Sequence, residues 1–239
     1  MFPPLETADE QGLLAMGGDL SPERLILAYK SGIFPWYSDP QPILWWSPDP
    51  RFVLFPAELH IPSTMQKILK KQTFRFTFDS CFETVISACK DMPRPDQAGT
   101  WITNGMLAAY CRLHELGYAH SCEAWEGESL IGGLYGVSIG RAFFGESMFY
   151  LKPNASHAAF IILTLVLAGL GFDILDSQVY TEHMAGFGAR MIPRSTYAGI
   201  IARSTERETL LGNWGKDPVV LGQLAETIAM TSKDGNNNG

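Results

Sequence analysis

Hydrophobic positions change their spacing along the chain, and each change marks an element. Early on one helical pattern stands out: Ser21 as N-cap, Pro22 at the first helical position, apolar Leu25, Ile26 and Tyr29, and Gly32 as the stop. A second short helix is predicted from Ser63 to Lys71, with Met65, Ile68 and Leu69 on one face and Lys67, Lys70 and Lys71 together on the other. From Thr73 to Phe78 apolar and polar residues alternate strictly, the period of a half-buried strand. Ser80-Cys81-Phe82-Glu83 reads as a capping box opening a helix with inner face Phe82, Val85, Ile86 and Cys89, ending near Asp91. After a Pro-containing loop, a helix carrying Met106, Leu107, Tyr110, Leu113 and His114 stops at Gly117. Residues 119–126, 129–138 and 141–149 then read as a β-meander, with turn signals at Glu126-Gly127-Glu128 and Ile139-Gly140-Arg141. Asn154-Ala155-Ser156 introduces an apolar helix reaching Leu170. A buried strand over Phe172–Val179 and a short helix near Glu182 follow.

The order β-α-α-β-β-β-α-β-α is that of the acetyltransferase-like (GNAT) superfold, in which a small molecule sits between splayed central strands. A fold alone does not fix a function. The expected class is α+β: a small loop-rich N-terminal lobe over residues 1–62, then a GNAT-like mixed-sheet domain with flanking helices over 63–230. The polar stretch Ser232–Gly239 suggests a disordered tail over 231–239.

Composition narrows the classes. With 46% hydrophobic and 18% charged residues the chain can bury a core, which sets disorder aside. The longest apolar run, Ala158–Gly171, is shorter than the roughly 18 to 20 residues a membrane span needs. Met1-Phe2-Pro3-Pro4-Leu5-Glu6 has no basic or apolar leader, so the expectation is a cytoplasmic protein with no membrane partner. A net charge of −7 argues against coating duplex nucleic acid, yet leaves room for a local basic patch. Cys81, Cys89, Cys111 and Cys122 show no CxxC spacing and are expected to be core hydrophobes. The five histidines form no HxxxH pair, so no metal site is expected. Gly145-Glu146-Ser147-Met148-Phe149 lacks the last glycine of a nucleophile elbow, and neither GxGxxG nor GxxxxGK[ST] occurs. A coenzyme-A enzyme of this superfold would carry a Gly-rich pyrophosphate loop where this chain reads Tyr150-Leu151-Lys152-Pro153-Asn154-Ala155.

Six runs remain: Gly17-Gly18-Asp19-Leu20-Ser21-Pro22, Gly32-Ile33-Phe34-Pro35-Trp36, Leu44-Trp45-Trp46-Ser47-Pro48-Asp49-Pro50-Arg51, Gly99-Thr100-Trp101-Ile102-Thr103, Gly132-Gly133-Leu134-Tyr135-Gly136-Val137 and Gly145-Glu146-Ser147-Met148-Phe149. In this combination and order they closely resemble the bacterial leucyl/phenylalanyl-tRNA-protein transferase family, from about residue 2 to residue 197. The resemblance implies an aminoacyltransferase that moves Leu or Phe, and less readily Met, from its tRNA to the N-terminal Arg or Lys of a protein, marking it for degradation under the N-end rule. That reaction is aminolysis of an activated ester by an amine titrating near pKa 8, so no cofactor, metal or covalent intermediate is required. Positioning and oxyanion stabilisation dominate such a step.

By the same resemblance, Asp176, Gln178 and Glu146 are the catalytic set. Gln178 is expected to contact the attacking amine and Asp176 to polarise Gln178 or receive the proton, and Glu146 would fix the amino end of the aminoacyl group. Strand alternation is expected to put Asp176 and Gln178 on one face. Leu134, Phe143, Phe160, Leu163 and Leu175 match the apolar pocket for the aminoacyl side chain. Trp36 and Trp101 match indoles that hold the terminal adenosine, and Lys67, Lys70 and Lys71 match a cationic helix for the tRNA acceptor stem. The expected partners are aminoacyl-tRNA and proteins or peptides with N-terminal Arg or Lys, and the chain is expected to be a monomer. The alternatives are an N-acyltransferase of the same superfold using a small acyl donor such as acyl-CoA, and a non-catalytic tRNA or peptide binder.

Overall fold

The computed structural model describes residues 1–92 and 101–233. The Pro-containing loop, including Gly99 and Thr100, lies outside the described residues. Among the described residues the strands form two sheets. The smaller pairs β1 (Leu13–Met16) and β2 (Phe34–Pro35) antiparallel on either side of β3 (Leu44–Trp46). Trp45 anchors it, fully enclosed and donating its indole N–H to the Gly17 carbonyl at 2.9 Å.

The larger sheet runs β10 (Arg190–Ile192), β4 (Arg51–Leu54), β9 (Ile174–Asp176), β8 (Ala142–Tyr150), β7 (Ser129–Ile139), β6 (Ala119–Glu126) and β5 (Arg75–Phe78). Every neighbouring pair is antiparallel except β8 with β9. β4 belongs here although it falls within the span assigned to the N-terminal lobe, so the two sheets part between Trp46 and Arg51. All four β4 residues are buried, which only an inner strand covered on both faces allows.

Alternation assigns the side chains to two cores. On one face Tyr135, Val137, Phe144 and Ile174 pack with α1 (Pro22–Lys30), α3 (Phe82–Asp91), α4 (Asn104–Glu115) and α7 (Arg194–Thr205). On the other, Leu134, Phe143 and Leu175 pack with α2 (Ser63–Lys70), α5 (Ala155–Gly169) and α8 (Pro218–Lys233). α5 is apolar almost all round because it lies between the sheet and α2 and α8. Each Leu, Ile or Phe enclosed this way contributes about 1.5–3 kcal/mol.

Three local expectations are corrected. The Ser80 capping box does not form: the N-cap of α3 is Cys81, and the Ser80 hydroxyl is drawn away to the buried Glu123 carboxylate at 2.8 Å. The strand expected over Phe172–Val179 is only Ile174–Asp176. Its pairing stops there, and Gln178 has φ 58, a left-handed conformation no strand accommodates. The tail expected from residue 231 continues as α8 to Lys233, and residues 234–239 lie outside the described residues.

Candidate active site

The parallel pair makes the opening. β9 accompanies β8 only from Ala142 to Phe144, while β8 continues alone on that side to Tyr150. A cleft of about 980 Å³ fills the space where the two strands part. Its walls include Glu146 and Met148 from β8, Ser177 and Gln178 after β9, the start of α5, Phe34 from β2 and Trp36 just after it.

A β-bulge places Glu146. Opposite β7, Ser147 pairs with Tyr135 and Gly145 with Gly136, leaving Glu146 as the extra residue. Bulges re-aim a side chain in this way. A Cβ on Gly136 would meet the Phe144 carbonyl oxygen at 2.3 Å, so only glycine allows the close approach. Re-aimed, the Glu146 carboxyl accepts from Tyr29 OH at 2.6 Å, Tyr110 OH at 3.0 Å and Gln178 Nε2 at 3.3 Å. The two tyrosine hydroxyls also touch each other. Burial pushes the Glu146 carboxyl up to about 7, with the hydroxyls opposing and the Asp176 charge adding to the rise.

Asp176 is placed differently. It is fully enclosed and lies behind the cleft wall. Oδ1 accepts from Arg51 Nε at 2.9 Å and from the Gln178 backbone N–H at 2.9 Å. Oδ2 accepts from Arg51 Nη2 and Tyr197 OH, both at 2.7 Å. Four donors occupy the roughly four acceptor positions of a carboxylate. Asp176 therefore reaches Gln178 through its main chain, not its amide, and the two do not share a strand face. Gln178, 8% exposed, presents its side chain to the cleft.

Leu134, Phe143, Phe160 and Leu175 line the cleft, with Met148 and Met184 beside them. Leu163 does not: it lies one turn further along α5 from Phe160, within the core. Trp36 and Trp101 both line the cleft, Trp36 at 36% exposure and Trp101 largely buried. Lys67, Lys70 and Lys71 are exposed on and just after α2 and are not part of the lining. His157 and His183 stack at 5.6 Å on the lining near α5, each held below the usual imidazole range by burial. Among the described residues no helix is long and apolar enough to cross a membrane.

Tyr29, Tyr110, Arg51 and Tyr197 are the site residues that sequence reasoning missed. Tyr29 and Tyr110 sit on helix faces counted as apolar, yet a buried phenol needs a hydrogen-bond partner, and that need was the available signal. Arg51 opens a strand of apolar residues, where a charge requires a buried partner.

Two family models cover most of the chain: leucyl/phenylalanyl-tRNA protein transferase over residues 53–202, and the N-terminal domain of the same enzyme over 18–49. Leucyl/phenylalanyl-tRNA–protein transferase of Syntrophus aciditrophicus is 56% identical over 94% of each chain. Those of Myxococcus xanthus (52%, 90% of this chain and 92% of the relative) and Saccharophagus degradans (54%, 87% and 86%) are similar throughout. The solved structure of L-PGS from Bacillus licheniformis covers 79% of this chain and 71% of that one at TM-score 0.41 and 11% identity, too distant to inform the fold. A cleft with an apolar end and a partly buried carboxyl, in a chain with these relatives, defines an aminoacyltransferase. The chain belongs to the leucyl/phenylalanyl-tRNA protein transferase family.

Proposed function

We propose that the chain transfers Leu or Phe, and Met less readily, from aminoacyl-tRNA to the N-terminal Arg or Lys of acceptor proteins, marking them for degradation in the cytoplasm. The larger sheet is read as the acetyltransferase-like arrangement, with the donor seated where its central strands part. The observation that carries this reading is the juxtaposition, in one cleft, of an apolar end, two indoles and a carboxyl re-aimed by a bulge.

The donor's side chain enters among Leu134, Phe143, Phe160 and Leu175, and Trp36 and Trp101 hold the terminal adenosine by stacking. An apolar pocket separates such side chains by only about 1–3 kcal/mol per methylene, which suits a donor set of Leu, Phe and Met. Ionised Glu146 holds the donor's α-ammonium and so fixes the ester carbonyl. The acceptor amine attacks that carbon beside the Gln178 amide, the C–N bond forms, and the ester C–O bond breaks. The proton lost by the amine ends on the ribose oxygen that leaves. Positioning supplies most of the acceleration, because the ester is already activated. Asp176, with its acceptor positions filled, is assigned no part in the proton transfer.

A non-hydrolysable leucyl-adenosine analogue at about 100 times its Kd should raise the unfolding free energy by about 2.7 kcal/mol, while coenzyme A leaves it unchanged. Stabilisation by coenzyme A alone would favour a small-acyl donor instead. The α2 lysines engage the acceptor stem through a few phosphates, which a chain of net charge −7 can still do. Changing Lys67, Lys70 and Lys71 together to Ala should weaken tRNA binding at low salt and flatten its salt dependence by a slope of about 2 to 3. Unaltered affinity would remove that helix from the interface.

A further inference from the structure

Gln178 occupies a costly conformation at a costly place. A non-glycine residue at φ 58 persists only where its surroundings over-determine it. Here the Asp176 carboxylate accepts the Gln178 N–H at 2.9 Å, beside a Phe52 N–H that donates to the Gln178 carbonyl at 3.4 Å. That carboxylate is itself clamped. Arg51 grips both oxygens, and Tyr197 from α7 donates to Oδ2. The guanidinium lies between the Phe34 and Tyr197 rings, 4.6 Å from each centroid, and its Nη1 donates to the Gly32 carbonyl at 3.3 Å. Phe34 lines the cleft and leads through Pro35 into Trp36. One buried cluster therefore touches both walls: the Gln178 wall through Asp176, and the Trp36 wall through Phe34.

We infer that Arg51 and Tyr197 are positioning residues for the transfer: by clamping Asp176 they hold the left-handed Gln178 turn and so fix its side-chain amide in the cleft. The inference rests on the transfer reading above. Removing Arg51 or Asp176 strands a buried partner and threatens the fold, so the discriminating variant is Tyr197→Phe, which keeps the ring over Arg51 and deletes one donor.

Leucine transfer to an Arg-initiated peptide is measured for wild type, Tyr197→Phe, Gln178→Ala and the double variant. A displaced amide in Tyr197→Phe should lower kcat about tenfold, with KM for tRNA and peptide little changed. A pair that acts through one element is non-additive, so the double variant should be no slower than Gln178→Ala alone. A merely structural role for Tyr197 multiplies the two losses instead, and that result, or an unaltered kcat in Tyr197→Phe, would overturn the inference. A wild type that transfers from no donor defeats the transfer reading itself, and is told apart because it needs no variant to appear.

Discussion

Glu146→Gln is expected to lower kcat/KM for transfer by about a hundredfold, the scale of losing one preorganised electrostatic partner at a reacting centre. The carboxyl sits near 7 because burial disfavours its charge. Holding a donor ammonium requires that charge, so activity should show a first rise as pH climbs through about 7, while near 8 the gain from a neutral acceptor amine is offset by loss of the donor's ammonium charge. Glu146→Gln should lack the first rise. Tyr29 and Tyr110 favour the ionised form by donating to it, so Tyr29→Phe or Tyr110→Phe should move the first rise to higher pH. The sign for stability is opposite. A carboxyl whose folded pKa is raised from 4.5 to about 7 binds its proton more tightly when folded, so its contribution favours the fold below pH 4.5 and is lost as pH climbs to about 7. A kcat/KM profile recorded from pH 5.5 to 9 checks these shapes. A full first rise in Glu146→Gln would transfer that titration to another group.

The second large effect is on folding. Asp176→Ala should destabilise the chain by about 3–5 kcal/mol, because it leaves Arg51 charged and unpaired in the interior. Replacing both partners, as Arg51→Met with Asp176→Leu, should cost less than the single change, since no buried charge is then left alone. Urea unfolding of the three proteins measures this. A loss under about 1 kcal/mol in Asp176→Ala would mean that water reaches the pair.

The periodic parts of the fold were legible in the chain. α1, α2, α4 and the three meander strands fall close to their predicted bounds, because each has one apolar face whose spacing records the element. Less was legible where tertiary partners decide. β9 is too short to show alternation, and the left-handed turn at Gln178 is imposed by a carboxylate that is in turn held by Arg51, 125 residues earlier. The Glu146 bulge had one local signal, Gly145 inside a strand, but its register depends on Gly136 across the pair. Among the expected site residues, Trp36, Trp101, Glu146, Gln178 and four of the five pocket positions converge on one cleft. Asp176 lies behind it because Arg51 and Tyr197 hold its carboxylate in the interior, and residue types alone do not say which way a strand-end carboxylate faces. Leu163 lies deeper because one turn of helix separates lining from core.

Transfer of labelled leucine from Leu-tRNA to a peptide beginning with Arg, beside the same peptide beginning with Gly, is the most direct measurement. Label confined to the Arg peptide is the expected result. With folded protein, no label in either peptide from Leu-, Phe- or Met-tRNA, or equal label in both, would contradict the proposed reaction or its acceptor rule respectively.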